Sequence, residues 1–276
     1  MSVNKCDQPI GVFDSGVGGL TVLRALKDLL PHENFLYLGD TARVPYGTKS
    51  AESVIKYALQ AGGALVKEGI KMLVVACNTA SAVSIDSLMT AYSPLPVVGV
   101  VKPGAEAACL ASKNGKIAVI ATESTVKGGA YQRTICRMHS GAKIIAKACP
   151  LFVGLAEEGW TEGEIVEAIV ARYLKPLFAE FGEEGPDTLV LGCTHFPVLH
   201  GAIAKVAGDK ITLVDSAETT ANTVKRILTE LSLPNNSDAA GRLSFLATDS
   251  AERFSAVGSA FLGGAINLAD VRSIDL

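Results

Sequence analysis

The chain has 276 residues and a formal net charge of −3, and 49% of its residues are hydrophobic and 19% charged. This composition favours a globular protein with a sizeable core and argues against a disordered chain. It offers no basic stripe for a nucleic-acid partner and no apolar run long enough to span a membrane.

The N-terminal residues and the cysteine content both indicate a cytoplasmic enzyme. Residues 1–9 are mostly polar and lack the apolar segment of a secretory signal. Six cysteines in a chain of this length do not make a disulfide framework, and a cytoplasmic compartment would keep them reduced.

Strands and helices alternate along the whole chain. Apolar runs typical of buried parallel strands occur at residues 10–13, 35–38, 72–76, 97–101, 117–121, 143–148, 188–191 and 211–214. Apolar residues at helical spacing predict helices at about 20–30, 51–67, 161–181 and 196–206, with others starting after residue 77 and near residues 216 and 249. This alternation predicts right-handed crossovers and parallel sheets, and therefore an α/β protein.

Loops are expected at three places between these elements. They are residues 41–49, 149–160 and 234–241, and the segment after the fourth strand is expected to break at Pro103-Gly104. Asn78 or Thr79 is expected to cap the helix that follows the third strand.

The order of these elements repeats after about half of the chain. Residues 10–15 correspond in character to residues 117–122, and the strand that precedes Cys77 corresponds to the one that precedes Cys193. We therefore predict two similar parallel-sheet α/β domains related by pseudo-symmetry, with the active site in the cleft between them.

The chain is expected to cross between these domains twice. Residues 1–100 and 213–276 form the predicted first domain, which carries Asp14 and Cys77. Residues 101–212 form the predicted second domain, which carries Cys193 and His195.

Two of the predicted strands end in a cysteine that is followed by small polar or imidazole side chains. The sequences are Val-Val-Ala-Cys-Asn-Thr-Ala at 74–80 and Val-Leu-Gly-Cys-Thr-His-Phe at 190–196. Ligands bind at the carboxyl ends of strands in open α/β sheets, and a helix N-terminus favours the thiolate form of a nearby cysteine. Two thiols on opposite faces of a bound carbon acid can remove and return a proton, which inverts a stereocentre.

Structural cysteines and a metal site are the alternatives for these residues. A lone cysteine is usually a buried structural residue, but two cysteines in matching positions favour a function. Cys77, Cys193 and His195 are suitable metal ligands by type, but no closely spaced Cys-x-x-Cys pair accompanies them, so we predict no metal. The remaining cysteines lack the matching context and are predicted to be structural, namely Cys6, Cys109, Cys136 and Cys149.

The glycine-rich stretch at residues 14–19 follows the first strand. Its sequence is Asp-Ser-Gly-Val-Gly-Gly, but the third glycine of a dinucleotide fingerprint would fall at Thr21. We therefore expect its backbone N–H groups to approach a small carboxylate. Asp14 is either a helix cap or a site residue, and its position beside Ser15 favours the site.

Four further residues have both a functional and a structural interpretation. His195 could be solvated, but its place two residues after Cys193 favours an acid–base or orienting role. Asp40 and Glu157 are equally compatible with surface charges, and Tyr46 is compatible with a packing role.

Four stretches together resemble the cofactor-independent aspartate/glutamate racemase family. They are residues 13–19, 38–47, 76–80 and 191–197, and they extend over most of the chain. The resemblance implies a reversible interconversion of L- and D-glutamate that supplies D-glutamate for bacterial peptidoglycan, and hence for cell-wall biogenesis and cell shape. It also implies a homodimer that needs no cofactor.

The resemblance assigns the catalytic roles. Cys77 would take the α-proton from D-glutamate and Cys193 from L-glutamate. Asp14 would assist Cys77, and His195 would assist Cys193 together with Glu157. The chain has Val153-Gly154 where the family often has Val-Pro, which leaves Glu157 and Glu158 both open as the acidic residue.

The resemblance also assigns the groups that hold the substrate's carboxylates and ammonium. These are Asp14, Ser15, Pro45, Tyr46, Gly47, Asn78, Thr79, Thr194 and His195.

Three other functions remain as alternatives. An aspartate- or hydantoin-type racemase of the same architecture would differ only in its substrate. A cysteine hydrolase needs one nucleophile with a base and an oxyanion hole, and it leaves the second strand-end cysteine unexplained. An amino-acid-binding module explains neither cysteine.

Overall fold

Ten strands form two separate parallel sheets in residues 5–276, the part of the chain that the computed structural model describes. Residues 1–4, which belong to the predicted first domain and to the stretch expected to lack a secretory signal, lie outside the described residues. The strands are β1 (Ile10–Asp14), β2 (Phe35–Gly39), β3 (Met72–Val75), β4 (Val97–Gly99), β5 (Lys116–Ala121), β6 (Lys143–Ala148), β7 (Thr188–Gly192), β8 (Thr212–Asp215), β9 (Leu243–Ala247) and β10 (Val271–Ser273).

Helices connect these strands throughout. They are α1 (Leu20–Leu29), α2 (Ala51–Lys67), α3 (Asn78–Tyr92), α4 (Val101–Ala111), α5 (Glu123–Gly128), α6 (Ala130–Met138), α7 (Leu151–Glu157), α8 (Glu164–Ala179), α9 (His200–Ala207), α10 (Ser216–Glu230) and α11 (Ala251–Leu262). Among residues 5–276, none of them combines the length and the apolar character needed to cross a lipid bilayer.

The two sheets share a common arrangement of strands. The first has the order β10-β9-β2-β1-β3-β4 and the second the order β6-β5-β7-β8, with every strand pair parallel. The four strands β2-β1-β3-β4 thus correspond to β6-β5-β7-β8. All residues of β1, β2, β3 and β7 are buried, as expected for parallel strands covered on both faces. The predicted α/β class with two parallel-sheet domains is confirmed.

The boundary between the two sheets differs from the one expected at residues 212 and 213. All four residues of β8 pair with β7, from Thr188 opposite Thr212 to Leu191 opposite Asp215. Residues 213–215 therefore belong to the second sheet, and the chain returns to the first through α10, which packs against both α1 and α4. The apolar run alone could not reveal this because strand pairing, not composition, decides to which sheet it belongs.

Several connections contain more helix than the sequence indicated. The expected loop at 149–160 contains α7, and α5 and α6 occupy the segment between β5 and β6. The fourth strand ends at Gly99, and Pro103-Gly104 lies inside α4 rather than at a break. Pro103 occupies the first turn of this helix. N–H groups in the first turn have no partner within the helix, so proline, which lacks an N–H group, costs no intrahelical hydrogen bond there.

A buried ion pair holds four segments of the first domain together. Lys71 is fully buried, and its Nζ lies 2.6 Å from Oε2 of Glu33, which is only 4% exposed. The same ammonium donates to the carbonyl oxygens of Cys6, at 2.5 Å, and Leu233, at 2.9 Å. Glu33 also accepts a 2.8 Å hydrogen bond from the backbone N–H of Asn235.

We expect Glu33→Gln to lower the free energy of unfolding by about 3–5 kcal/mol, because it leaves the buried Lys71 ammonium without its counter-charge. Urea denaturation measures this loss. The matched control is Glu230→Gln in the exposed pair with Arg226, where the change should stay below about 1 kcal/mol. Equal small losses in both variants would mean that the buried pair does not hold these segments.

Candidate active site

The carboxyl ends of both sheets face a cavity of about 230 Å³ that is lined by residues of both domains. Residues from the first domain lie on one side and those following β5, β6 and β7 on the other. Ten of the predicted site residues line this cavity: Ser15, Pro45, Tyr46, Gly47, Cys77, Asn78, Thr79, Cys193, Thr194 and His195. The strand-end positions therefore come together as parallel-sheet geometry requires.

Two predicted residues lie just behind this lining. Asp14 is fully buried at the end of β1, and Glu157 reaches His195 from the end of α7. Glu158, the alternative acidic residue, is exposed at the C-terminal cap of α7.

Sequence reasoning missed a further set of lining residues. Thr122 could have been found, because it follows β5 as Ser15 follows β1. Val44 lies in the matching stretch 38–47, and Val153 and Gly154 lie where the chain departs from the family pattern, but none of the three was assigned to the site. No sequence signal marked Thr48, Glu123 and Pro150, which lie in the 3-10 turn at residues 46–48, at the start of α5 and just before α7.

Cys77 is the N-cap residue of α3, the place expected for Asn78 or Thr79. Its Sγ accepts a hydrogen bond from the Ala80 N–H at 3.5 Å and lies 3.6 Å from Oγ of Ser15. Burial and the nearby Asp14 carboxylate nevertheless raise the pKa of Cys77 to about 12. The helix N-terminus therefore does not produce the expected thiolate, and Cys77 keeps its proton at neutral pH.

Cys193 has a different environment, in which an imidazole contacts its sulfur. His195 Nδ1 lies 3.9 Å from Cys193 Sγ, and His195 Nε2 lies 3.1 Å from Oε1 of Glu157. Burial disfavours the imidazolium, but the contacts with Cys193 and Glu157 outweigh it and raise the pKa of His195 to about 10. The hydrogen bond from His195 in turn lowers the pKa of Glu157, although burial opposes this.

Arg253 extends this chain of contacts to the first domain. Its Nη2 lies 3.3 Å from Oε2 of Glu157, and it comes from α11, whereas Glu157 belongs to α7. Sequence reasoning gave no signal for Arg253, because an isolated arginine on a helix far from the motifs looks like any exposed cation.

The glycine-rich stretch at residues 14–19 allows the two domains to lie close together. A Cβ atom at Gly18 would lie only 2.4 Å from both His195 Nδ1 and Thr194 Oγ1, so only glycine fits. We expected the backbone N–H groups of this stretch to approach a small carboxylate. The Gly16 N–H donates to a carboxylate of the same chain, Oδ2 of Asp14, at 2.9 Å. Burial raises the pKa of Asp14, although the positive charge of His195 opposes the shift.

The loop that carries Pro45, Tyr46 and Gly47 is held by Asp40, which is fully buried and so is not a surface charge. The Tyr46 hydroxyl donates to Oδ2 of Asp40, Arg43 Nε lies 2.7 Å from the same oxygen, and Thr248 donates to Oδ1 at 2.9 Å. Tyr46 therefore faces the cavity with its hydroxyl already engaged.

Neutral donors dominate the lining. Thr79 Oγ1 lies 2.9 Å from Oγ1 of Thr122 across the cleft, and there is no lysine or arginine among the described residues that line the cavity. In residues 5–276 no group of three or more His, Cys, Asp or Glu side chains is placed to hold a metal ion. The arrangement can hold a small anionic molecule between two thiols, one from each domain.

Comparisons with known proteins agree with this geometry. Residues 11–224 match the Asp/Glu/hydantoin racemase family. A glutamate racemase from Geobacter metallireducens is 47% identical over 267 residues, which are 97% of this chain and 96% of that protein.

Two solved structures are similar over nearly the whole chain. The structure of glutamate racemase from Francisella tularensis in complex with D-glutamate has a TM-score of 0.89 at 33% identity and covers 98% of both chains. The structure of glutamate racemase from Thermus thermophilus in complex with β-chloro-D-alanine has a TM-score of 0.88 at 43% identity and covers 99% of both.

We expect the alkylation of Cys77 by iodoacetamide to rise about tenfold per pH unit between pH 7 and 10, because only its thiolate reacts and its pKa is about 12. Peptide mass spectrometry after timed quenching separates Cys77 from the exposed Cys136, which serves as an internal reference. Asp14→Asn removes a negative neighbour and should speed the alkylation of Cys77 at pH 8.

The matched control is Asp28→Asn, which removes an exposed carboxylate on α1 and should leave the rate unchanged. An alkylation rate at Cys77 that is already flat above pH 8 would contradict the buried, protonated thiol.

Proposed function

The chain belongs to the Asp/Glu/hydantoin racemase family, and on this basis we propose that it is a glutamate racemase, which interconverts L- and D-glutamate. The observation that carries the proposal is the pair of thiols, Cys77 and Cys193, that line one small cavity from two different domains. Relatives at 45–47% identity over more than nine-tenths of the chain are glutamate racemases, which favours glutamate over the aspartate- and hydantoin-type alternatives.

In the direction from L- to D-glutamate, Cys193 removes the α-proton and Cys77 returns one to the other face. Cys77 is suited to donate because burial and Asp14 keep its thiol protonated. The protonated His195 lies 3.9 Å from Cys193 Sγ, so a positive charge faces the sulfur that removes the proton. In the ligand-free form the donor on the opposite side, the Cys77 thiol, is therefore in place.

In the reverse direction the two thiols exchange roles. Cys77 removes the α-proton of D-glutamate, assisted by the Asp14 carboxylate, and Cys193 donates from its side with His195 and Glu157. Because burial and Asp14 keep the proton on Cys77 in the ligand-free form, this direction first requires that proton to leave.

The substrate is held by neutral groups in this proposal. The hydroxyls of Ser15, Thr79 and Thr194, the Asn78 amide and the backbone around residues 45–47 surround the cavity. They donate hydrogen bonds to the two carboxylates without an arginine clamp. Such donors position the α-carbon between the thiols, and positioning is a large part of the rate gain in proton transfer.

The remaining parts of the proposal rest on the family resemblance. We infer that the enzyme acts in the bacterial cytoplasm, that it supplies D-glutamate for peptidoglycan and hence for the cell wall and cell shape, and that it works as a homodimer. Its thiols carry out the acid–base chemistry, so the reaction needs no cofactor.

We expect the purified protein to racemise L-glutamate at least a hundredfold faster than L-aspartate, and to keep this activity after exhaustive dialysis against a chelator. Circular dichroism at a wavelength where the substrate absorbs follows both reactions, because racemisation removes the signal. Faster loss of the aspartate signal would make the enzyme an aspartate racemase, and activity restored only by added metal or pyridoxal phosphate would contradict the thiol-only mechanism.

Cys77→Ser and Cys193→Ser should each abolish racemisation, because a hydroxyl is far too weak an acid to replace a thiol at neutral pH. The remaining thiolate still removes the α-proton from one enantiomer of threo-3-chloroglutamate, chloride leaves, and the enamine hydrolyses to a keto acid and ammonium. We expect Cys77→Ser to process only the L-configured analogue and Cys193→Ser only the D-configured one, measured as keto acid formed.

The matched control for these variants is Cys149→Ser, which replaces a buried cysteine outside the cavity lining and should still racemise glutamate. Racemisation by either Cys77→Ser or Cys193→Ser, or elimination from the same enantiomer by both, would refute the two-sided site.

A further inference from the structure

Tyr131 lies between the two strand ends that carry the cysteines. It belongs to α6 of the second domain and is 1% exposed. A Cβ atom at Gly192 would lie 3.0 Å from its ring, and one at Gly104 would lie 3.3 Å from its hydroxyl. Its ring therefore fits between two glycines, one of which directly precedes Cys193.

The Tyr131 hydroxyl crosses to the first domain, where it donates to Oδ1 of Asn78 at 2.7 Å. Asn78 is the residue that follows Cys77, so this single tyrosine touches the neighbours of both cysteines. Burial raises the pKa of Tyr131, so its hydroxyl always carries its proton.

These contacts fix which end of the Asn78 amide faces Tyr131. The phenol has one proton to donate, and among the hydrogen bonds of the described residues its acceptor is Asn78 Oδ1. If the amide were reversed, its NH₂ group would meet the phenol oxygen and the phenol proton would lose its acceptor. A buried donor without an acceptor costs free energy, so the observed orientation is the favoured one.

The other end of the amide has no partner among the described residues. Asn78 Nδ2 is buried without a hydrogen bond, although Asn78 is one of the residues that line the cavity. A group that binds there with an oxygen acceptor would satisfy it, and a carboxylate accepts strongly because it is charged.

We propose that Tyr131 is a positioning residue that fixes the Asn78 amide with its NH₂ group towards the substrate. Asn78 then acts only as a donor, so it binds a substrate carboxylate and disfavours an ammonium or carboxamide NH₂ in the same place. The proposal rests on the proposed function for the identity of the carboxylate, which is glutamate's.

The experiment compares Tyr131→Phe with wild type, since phenylalanine keeps the ring between Gly104 and Gly192 and removes only the hydroxyl. We expect kcat/KM for both glutamate enantiomers to fall roughly tenfold, the size of one lost hydrogen bond. In an Asn78→Ala background the same Tyr131→Phe change should have almost no further effect. An equal loss in both backgrounds, or no loss in either, would overturn the proposal.

Nuclear magnetic resonance of the ligand-free protein tests the amide orientation without any substrate. The Asn78 side-chain NH₂ signals, identified by their loss in Asn78→Ala, should move in Tyr131→Phe and should show no close contact with the Tyr131 ring in wild type. Strong nuclear Overhauser effects from these NH₂ protons to that ring would overturn the proposal. This result is independent of whether glutamate is the substrate, whereas absent glutamate racemisation by wild type would refute the proposed function alone.

Discussion

The close approach of Gly18 to His195 is the constraint on which the cavity depends. Because a side chain at Gly18 would meet both His195 and Thr194, the glycine-rich turn after β1 can lie directly against the end of β7. Thr21 reinforces this approach by donating to the Thr194 carbonyl at 3.0 Å. The two strand ends are thus held face to face, and the thiols that follow β3 and β7 lie on the same small cavity.

The repeated fold gives two similar halves, but the side chains make them unequal. Asp14 and Ala121 are the last residues of the corresponding strands β1 and β5, and Thr79 and His195 each lie two residues after a cysteine. Cys77 therefore has a carboxylate nearby, whereas Cys193 has an imidazole. The Cys77 thiol is thus held protonated, whereas a positive charge lies beside the Cys193 sulfur.

The pattern of strands and cysteines was predictable because it depends on local sequence. Apolar runs of four to six residues located the eight strands from β1 to β8, and the matching strand ends at Cys77 and Cys193 located the site. The last two strands were not found. β9 has only part of its residues buried and β10 is an edge strand of three residues, so neither shows the continuous apolar run of a central parallel strand.

Protonation and long-range partners could not be predicted in the same way. A helix N-terminus lowers the pKa of a nearby cysteine. At Cys77, burial and the Asp14 carboxylate raise the pKa instead. These quantities depend on the packed fold. Arg253 and Tyr131 were missed for a similar reason, since each lies far along the chain from the residue that it contacts and belongs to no motif.

The cross-domain contacts share a pattern that bears on how the site can open. Tyr131 of the second domain holds Asn78 of the first, Arg253 of the first contacts Glu157 of the second, and Thr79 and Thr122 meet across the cleft. Cys77 is thus followed by Asn78, which Tyr131 of the second domain contacts, and Cys193 by Thr194, which Thr21 of the first domain contacts. A movement that separated the domains would break these contacts together. Because His195 derives its raised pKa partly from Glu157, such a movement at α7 would also change the charge beside Cys193.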